Sequence, residues 1–136
     1  QAAEIFREAI GEHASVTFVP VPPSKAKGDP SYDDRMLRML QRVCEGRRAE
    51  IRELVIQPQS TGATHLALIR PSPDDLVARY ELDESLTQPE PSIIVIVDDV
   101  LTTGCHFKAV KRMLQQRFRD ASIVGLFIAR RAPKAP

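Results

Sequence analysis

Residues 93–97 read IIVIV, and two aspartates, Asp98 and Asp99, follow with nothing between. Every residue of that run is β-branched, which favours a strand. No polar residue interrupts it, so both faces of the strand need cover, as in the parallel sheet of an α/β protein. After the aspartates the chain reads Val100-Leu101-Thr102-Thr103-Gly104 and enters a segment with helical spacing near Cys105. A buried strand that stops at paired carboxylates and turns into a helix puts acceptors and backbone N–H groups together at the carboxyl edge of the sheet. Open α/β sheets bind their ligands at that edge.

The chemistry of such a turn follows from its residues. Ionised Asp98 and Asp99 are acceptors only. They suit the hydroxyls of a vicinal diol, or the water shell of Mg²⁺. The first turn of the following helix has unpaired N–H groups and the positive end of the helix dipole, which favour an anion. Thr102 and Thr103 add hydroxyl donors, and Gly104 permits a tight turn and close approach of a phosphate. Diol on one side and phosphate on the other describe a ribose 5-phosphate.

IVIVDDVLTTGCH resembles the 5-phosphoribosyl diphosphate (PRPP) signature of type I phosphoribosyltransferases: hydrophobic residues, two acidic residues, then a small-residue loop containing Thr-Gly. The resemblance implies a three-layer α/β fold with a central, mainly parallel sheet flanked by helices. It assigns the ribose 2′- and 3′-hydroxyls to Asp98 and Asp99, the catalytic pair. The same two residues would hold Mg²⁺ indirectly, through water or substrate. The 5-phosphate falls to Leu101, Thr102, Thr103, Gly104, Cys105 and His106. His106 stands where the family usually has Thr or Ser, so an imidazole replaces a hydroxyl. Protonated, it would bind phosphate in a pH-dependent way; neutral and turned away, it would leave a weaker grip. Cys105 reads as a small packed side chain.

A second β-branched run, VTFVPV at Val16 to Val21, ends at Pro22-Pro23 and leads into SKAKG. In the family, the loop after the first core strand holds the pyrophosphate leaving group. By position Ser24, Lys25 and Lys27 take that role here, with Arg35 and Arg70 as further candidates. The VPVP strand, the basic loop, Arg35, Arg70 and Arg79-Tyr80 resemble the ComF-type branch more loosely. The likeness spans roughly residues 16–130, and only 93–106 is diagnostic. If it holds, the Ser24–Gly28 loop and the Asp98–His106 turn should meet over one pocket.

The rest of the chain reads as follows. Residues 1–12 carry Ile5, Phe6, Ala9 and Ile10 on one helical face, and Gly11 ends that helix. A helix is expected over Asp33 to Arg47, capped by Asp33 or Asp34, with Met36, Leu37, Leu40 and Val43 as its stripe. Ile51 to Ile56 reads as one strand. Thr64 to Ile69 fits strand or short helix, and Asp74 to Arg79 one or two helical turns. A helix over Cys105 to Phe118 and a strand over Ser122 to Ala129 complete the alternation. Met36, Met39, Phe118 and Phe127 read as core. Alternating strands and helices imply a parallel sheet with right-handed crossovers, with VTFVPV and IIVIV in its middle. The 136 residues are expected to form a single phosphoribosyltransferase-like domain, with an N-terminal helix in 1–15 and a disordered tail at 130–136.

Bulk properties narrow the function. A net charge of +1 gives no electrostatic case for nucleic acid. Two cysteines, Cys44 and Cys105, lack metal spacing and suit a reducing cytoplasm. No apolar run approaches a membrane span. The expected activity is transfer of the 5-phosphoribosyl group from PRPP to a nitrogenous acceptor, with Mg²⁺ as cofactor and release of pyrophosphate. The 6-oxopurine enzymes of the family generally carry Asp where this chain has Thr102, which disfavours hypoxanthine and guanine. The alternative is a non-catalytic module that binds PRPP or a nucleotide, as a regulator or an effector in a larger assembly such as a bacterial defence system. Either form is compatible with a homodimer or a place in a longer protein.

Overall fold

A computed structural model describes residues 16–23, 25–46, 49–59, 72–99 and 104–128, with Asp99 described by its backbone. The N-terminal helix, the Thr64–Ile69 segment and the C-terminal tail expected from the sequence lie outside these residues.

The chain is an α/β fold in which three helices pack on a four-stranded sheet among the described residues. Its elements are β1 (Val16–Pro20), α1 (Arg35–Cys44), β2 (Ala49–Ile51), β3 (Val55–Ile56), α2 (Pro73–Arg79), β4 (Glu81–Leu82), β5 (Ile93–Asp99), α3 (Cys105–Arg117) and β6 (Ser122–Ile128). The main sheet has the order β2-β1-β5-β6, parallel throughout, with the two β-branched runs at its centre as expected.

The order explains which face each helix covers. From β1 the chain moves outward to β2; from β5 it moves outward the other way, to β6. Crossovers of one hand in opposite directions put their helices on opposite faces. Leu40 and Val43 of α1 accordingly pack with Val16, Phe18 and Val97. Ala109, Val110 and Leu114 of α3 pack with Val19, Ile94 and Ile96 on the other side. Ile94, Ile96 and Val97 are fully buried, each contributing about 1.5–3 kcal/mol by leaving water.

The stretch expected as one strand, Ile51 to Ile56, is two. β2 ends at Ile51, and β3 joins a separate antiparallel pair with β4. Arg52 causes the break. Its backbone N–H still reaches Phe18 O, but its side chain is buried and donates to the carbonyls of Leu86 (3.0 Å) and Pro89 (2.7 Å). It also pairs with Glu50, which accepts from the Thr17 hydroxyl. Satisfying a buried guanidinium fixes the approach to β5 and sends the chain to a second sheet.

Helix α1 is shorter than expected, and neither aspartate before it acts as a side-chain N-cap. Asp34 pairs with Arg38 one turn on, and Asp33 accepts from the Arg35 backbone and guanidinium. Helix α2 has the capping box Ser72/Asp75 with Pro73 in its first turn. Phe118 is core on the α3 face and Met36 and Met39 pack against the core of the α1 face, but Phe127 is 46% exposed. It lies on β6, at the sheet's edge among the described residues, with one side against Phe107.

Phe107 reaches that position because Gly125 lies beneath it; a Cβ there would overlap the edge of the ring. Gly125→Val should displace the Phe107–Phe127 pair and destabilise the fold by about 1–3 kcal/mol in urea unfolding. Val124→Thr on the opposite, half-exposed face should cost less than about 0.5 kcal/mol.

Candidate functional site

The site begins where β1 and β5 part. Their last paired residues are Pro20 and Val97, and one further bond runs from Val21 N–H to Val97 O at 2.9 Å. The loop from Pro22 and the turn from Asp98 therefore leave neighbouring strands side by side, about 4.8 Å apart. This is the point where the connections diverge, the place in an open α/β sheet where ligands bind.

Strand alternation decides where Asp98 points. It shares a face with Ile94 and Ile96, the face covered by α3. Asp98 is 4% exposed, a carboxylate at the end of the most buried strand. Helix α3 starts beside it at Gly104, whose φ of 83° is left-handed backbone open to glycine. The first helical bond runs from Lys108 N–H to Gly104 O, which leaves the N–H groups of the first turn without helical acceptors. The acidic strand end and the N–H-rich helix start expected from the sequence are thus adjacent.

His106, in that first turn, has a partner that sequence reasoning missed. The Tyr80 hydroxyl lies 2.7 Å from His106 Nδ1. Tyr80 ends α2 and is buried. Burial, reinforced by the charge of Asp98, raises the pKa of its phenol, so it remains a donor. Burial also pushes the His106 imidazole below its ordinary value, against the opposing pull of Asp98. A neutral imidazole that accepts this bond at Nδ1 carries its hydrogen on Nε2, and one that donates it carries the hydrogen on Nδ1. His106 is therefore a neutral ring anchored from behind. Its clue in the sequence was Arg79-Tyr80, but nothing in spacing pairs residues 26 apart. Cys105 packs against the core as expected, and both cysteines are free thiols.

Beside this turn lies a cavity of about 520 Å³. Its walls come from the 22–32 loop and from 53–58, with Pro22, Pro23, Val55 and Ile56 as apolar surface and Tyr32 as the aromatic. Lys25 and Lys27 line it. Lys27 Nζ is 3.0 Å from Glu53, to which the Tyr32 hydroxyl also donates at 3.4 Å. Burial and then the Glu53 charge raise the Tyr32 pKa. Glu53 and the buried Gln57, unmarked by any motif, enter the wall because the chain changes sheets after Arg52.

The expected single pocket under both loops is not what the described residues form. No residue of Asp98 or 104–106 lines the cavity; β3 closes the 22–32 loop on the β2 side, and Asp98 faces α3. Arg35 is not in the wall either: its guanidinium forks onto Asp33 at 2.7–3.0 Å. Ser24, Arg70, Leu101, Thr102, Thr103 and the Asp99 side chain lie outside the described residues. A scan against protein-family models finds no match, and searches of curated proteins and of solved structures find none either.

The neutral state of His106 makes stability depend on pH. Its folded pKa lies below the ordinary 6.5, so the unfolded chain takes up the proton first as pH falls. Its contribution is complete above about pH 6.5 and declines as pH drops from there towards the folded pKa. Urea unfolding between pH 7.5 and 5 should show this loss, and His106→Gln should flatten it. Tyr80→Phe should cost about 1–3 kcal/mol at pH 7.5 by leaving Nδ1 without its hydrogen-bond partner.

Proposed function

We propose that this chain is a Mg²⁺-dependent phosphoribosyltransferase acting on PRPP and a nitrogenous acceptor. The observation that carries the reading is the placement of the diagnostic string: Asp98 ends the central strand at the switch point, and the open first turn of α3 begins beside it.

The residues have distinct tasks in this reading. Asp98, with Asp99 by sequence, accepts from the ribose hydroxyls and stabilises positive charge that develops on the sugar as its bond to pyrophosphate loosens. The N–H groups at the start of α3 hold the 5-phosphate, joined by Leu101, Thr102 and Thr103 of the signature. His106 adds a neutral Nε2–H donor. Lys25 and Lys27 meet the leaving pyrophosphate, and Lys27 must exchange Glu53 for it. The protein's contribution is chiefly orientation and charge.

Mg²⁺ fits this donor set in one form. The described residues contain no group of three or more His, Cys, Asp or Glu able to cage a metal. One or two carboxylates with water and substrate oxygens are the usual Mg²⁺ environment, and Asp98 and Asp99 would supply them. When bound, the ion would neutralise charge on the pyrophosphate.

A second reading, a module that binds PRPP or a nucleotide without turnover, is favoured by one observation. Lys27 and Arg35 are paired with carboxylates, and burial holds the His106 pKa below its ordinary value. Such a site grips a leaving group weakly. No helix among the described residues is long and apolar enough to cross a membrane; a cytoplasmic location remains part of the proposal.

Calorimetric titration of PRPP with Mg²⁺ tests the common core of both readings. Asp98→Asn should weaken binding about 10–100-fold, the value of a hydrogen bond to a charged group. Lys25→Ala/Lys27→Ala should weaken PRPP while leaving ribose 5-phosphate nearly unchanged. Absence of binding by the wild type would overturn both. Binding without Mg²⁺-dependent release of pyrophosphate in the presence of any acceptor would leave the second.

A further inference from the structure

We infer that the recess between the 22–32 loop and residues 53–58 also takes the acceptor of the proposed reaction, and that Glu53 limits that acceptor to uncharged heterocycles carrying an N–H donor. The inference rests on the phosphoribosyl reading and names the substrate class within it.

The two walls divide the work. Lys25 and Lys27 come from the loop, and Glu53, Val55 and Ile56 from the segment that meets it. A nucleophile reaches a sugar carbon from the face opposite the leaving group. With pyrophosphate on the lysines, the acceptor's place is therefore the 53–58 wall. That wall is apolar except at Glu53 and Gln57. Val55 and Ile56, with Pro22, Pro23 and Tyr32 of the loop, give a flat ring apolar and aromatic surface to lie on. A cavity of about 520 Å³ is of the usual size for a small-molecule site, about 300–1,000 Å³.

Glu53 sets the polarity. Its side chain is 22% exposed, against 60% for Lys27. When the pair opens, the lysine is the partner free to swing away, and the carboxylate stays in the recess. The Tyr32 hydroxyl donates to its other oxygen at 3.4 Å. Burial, and then the Glu53 charge, raise the Tyr32 pKa, so this hydroxyl keeps its hydrogen. The Oε1 atom that Lys27 leaves is an acceptor only. Gln57 both donates and accepts, so it sets no preference. Once pyrophosphate has neutralised the lysines, the charges left in the lining are Glu53 and Asp29, both negative. An N–H of the incoming ring gains a charge-assisted hydrogen bond there. A ring bearing a carboxylate meets like charge instead.

Calorimetry on the full chain with saturating Mg²⁺ and pyrophosphate tests this. The probes are nicotinamide and nicotinate, one ring with an amide or a carboxylate, and adenine as a second uncharged ring. Nicotinamide and adenine should bind, and nicotinate about 10–100-fold more weakly than nicotinamide. Glu53→Gln should level nicotinamide and nicotinate. It should also tighten PRPP, because Lys27 loses its competitor, an effect that mere loss of structure would not produce. Glu53→Ala gives the same reading should Glu53→Gln not fold. If the wild type binds PRPP but takes nicotinate as well as nicotinamide, the inference is overturned and the phosphoribosyl reading stands. A preference that survives loss of the carboxylate would have the same meaning, as would failure of both uncharged rings to bind. Failure of PRPP itself to bind would remove the reading and this inference with it.

Discussion

The register between β1 and β5 is the constraint on which the rest depends. These two strands supply most of the sheet's buried aliphatics, and they separate at Pro20 and Val97. Pro20 closes the ladder because its successor segment, with prolines at 22 and 23, cannot continue as a paired central strand. Asp98 follows Val97 without a gap, so the strand's hydrophobic burial also buries the carboxylate. Moving the aspartates one residue along would turn that carboxylate to the other face, away from α3. A site read as chemistry is thus set by packing: the aliphatic ladder decides where the charge sits and what it sees.

What was legible in the sequence was whatever is encoded locally. Ile93 to Val97 announced a strand buried on both faces, and Cys105 to Phe118 a helix; the helix stops one residue short and the strand runs two residues on, to Asp99. Adjacency of β1 and β5 followed from the alternation of strands and helices. The failures have a common origin in interactions distant along the chain. Ile51 to Ile56 has the composition of one strand, yet Arg52 finds carbonyls at 86 and 89 and the strand divides. Phe127 has the composition of core, yet it falls on an edge strand where Phe107 shields one side only. Tyr80 and His106 are hydrogen-bonded at 2.7 Å, and neither residue type nor spacing announces the pair.

The electrostatics of the site are more restrained than its basic residues suggest. A count of cations near the two loops would favour strong anion binding, but the described partners absorb much of it: Glu53 for Lys27, Asp33 for Arg35. An exposed pair of this sort is worth little to stability, about 0–1 kcal/mol. It is correspondingly cheap to break, so pairing holds each lysine or arginine in place at small cost until an anion competes for it. His106 differs in kind. Its burial favours neutrality, so it offers direction rather than charge. In the proposed reading the site would discriminate by hydrogen-bond geometry at Asp98 and α3, with charge playing a secondary part.

This division of labour also accounts for the cavity's position. The recess sets the apolar surface of Pro22, Pro23, Val55 and Ile56 beside the charged side chains of Lys25, Lys27 and Glu53. The open first turn of α3 offers an anion backbone N–H groups instead. In the proposed reading a single ligand would meet the two environments at different points, its 5-phosphate at α3 and its pyrophosphate at the lysines. Arg52 is what keeps them apart. By diverting the chain from β2 into β3 it closes the recess on one side, and by holding the carbonyls of Leu86 and Pro89 it fixes the approach of β5, and hence of Asp98, on the other. One buried guanidinium therefore couples the shape of the cavity to the position of the carboxylate, although it neither lines the cavity nor lies in the turn.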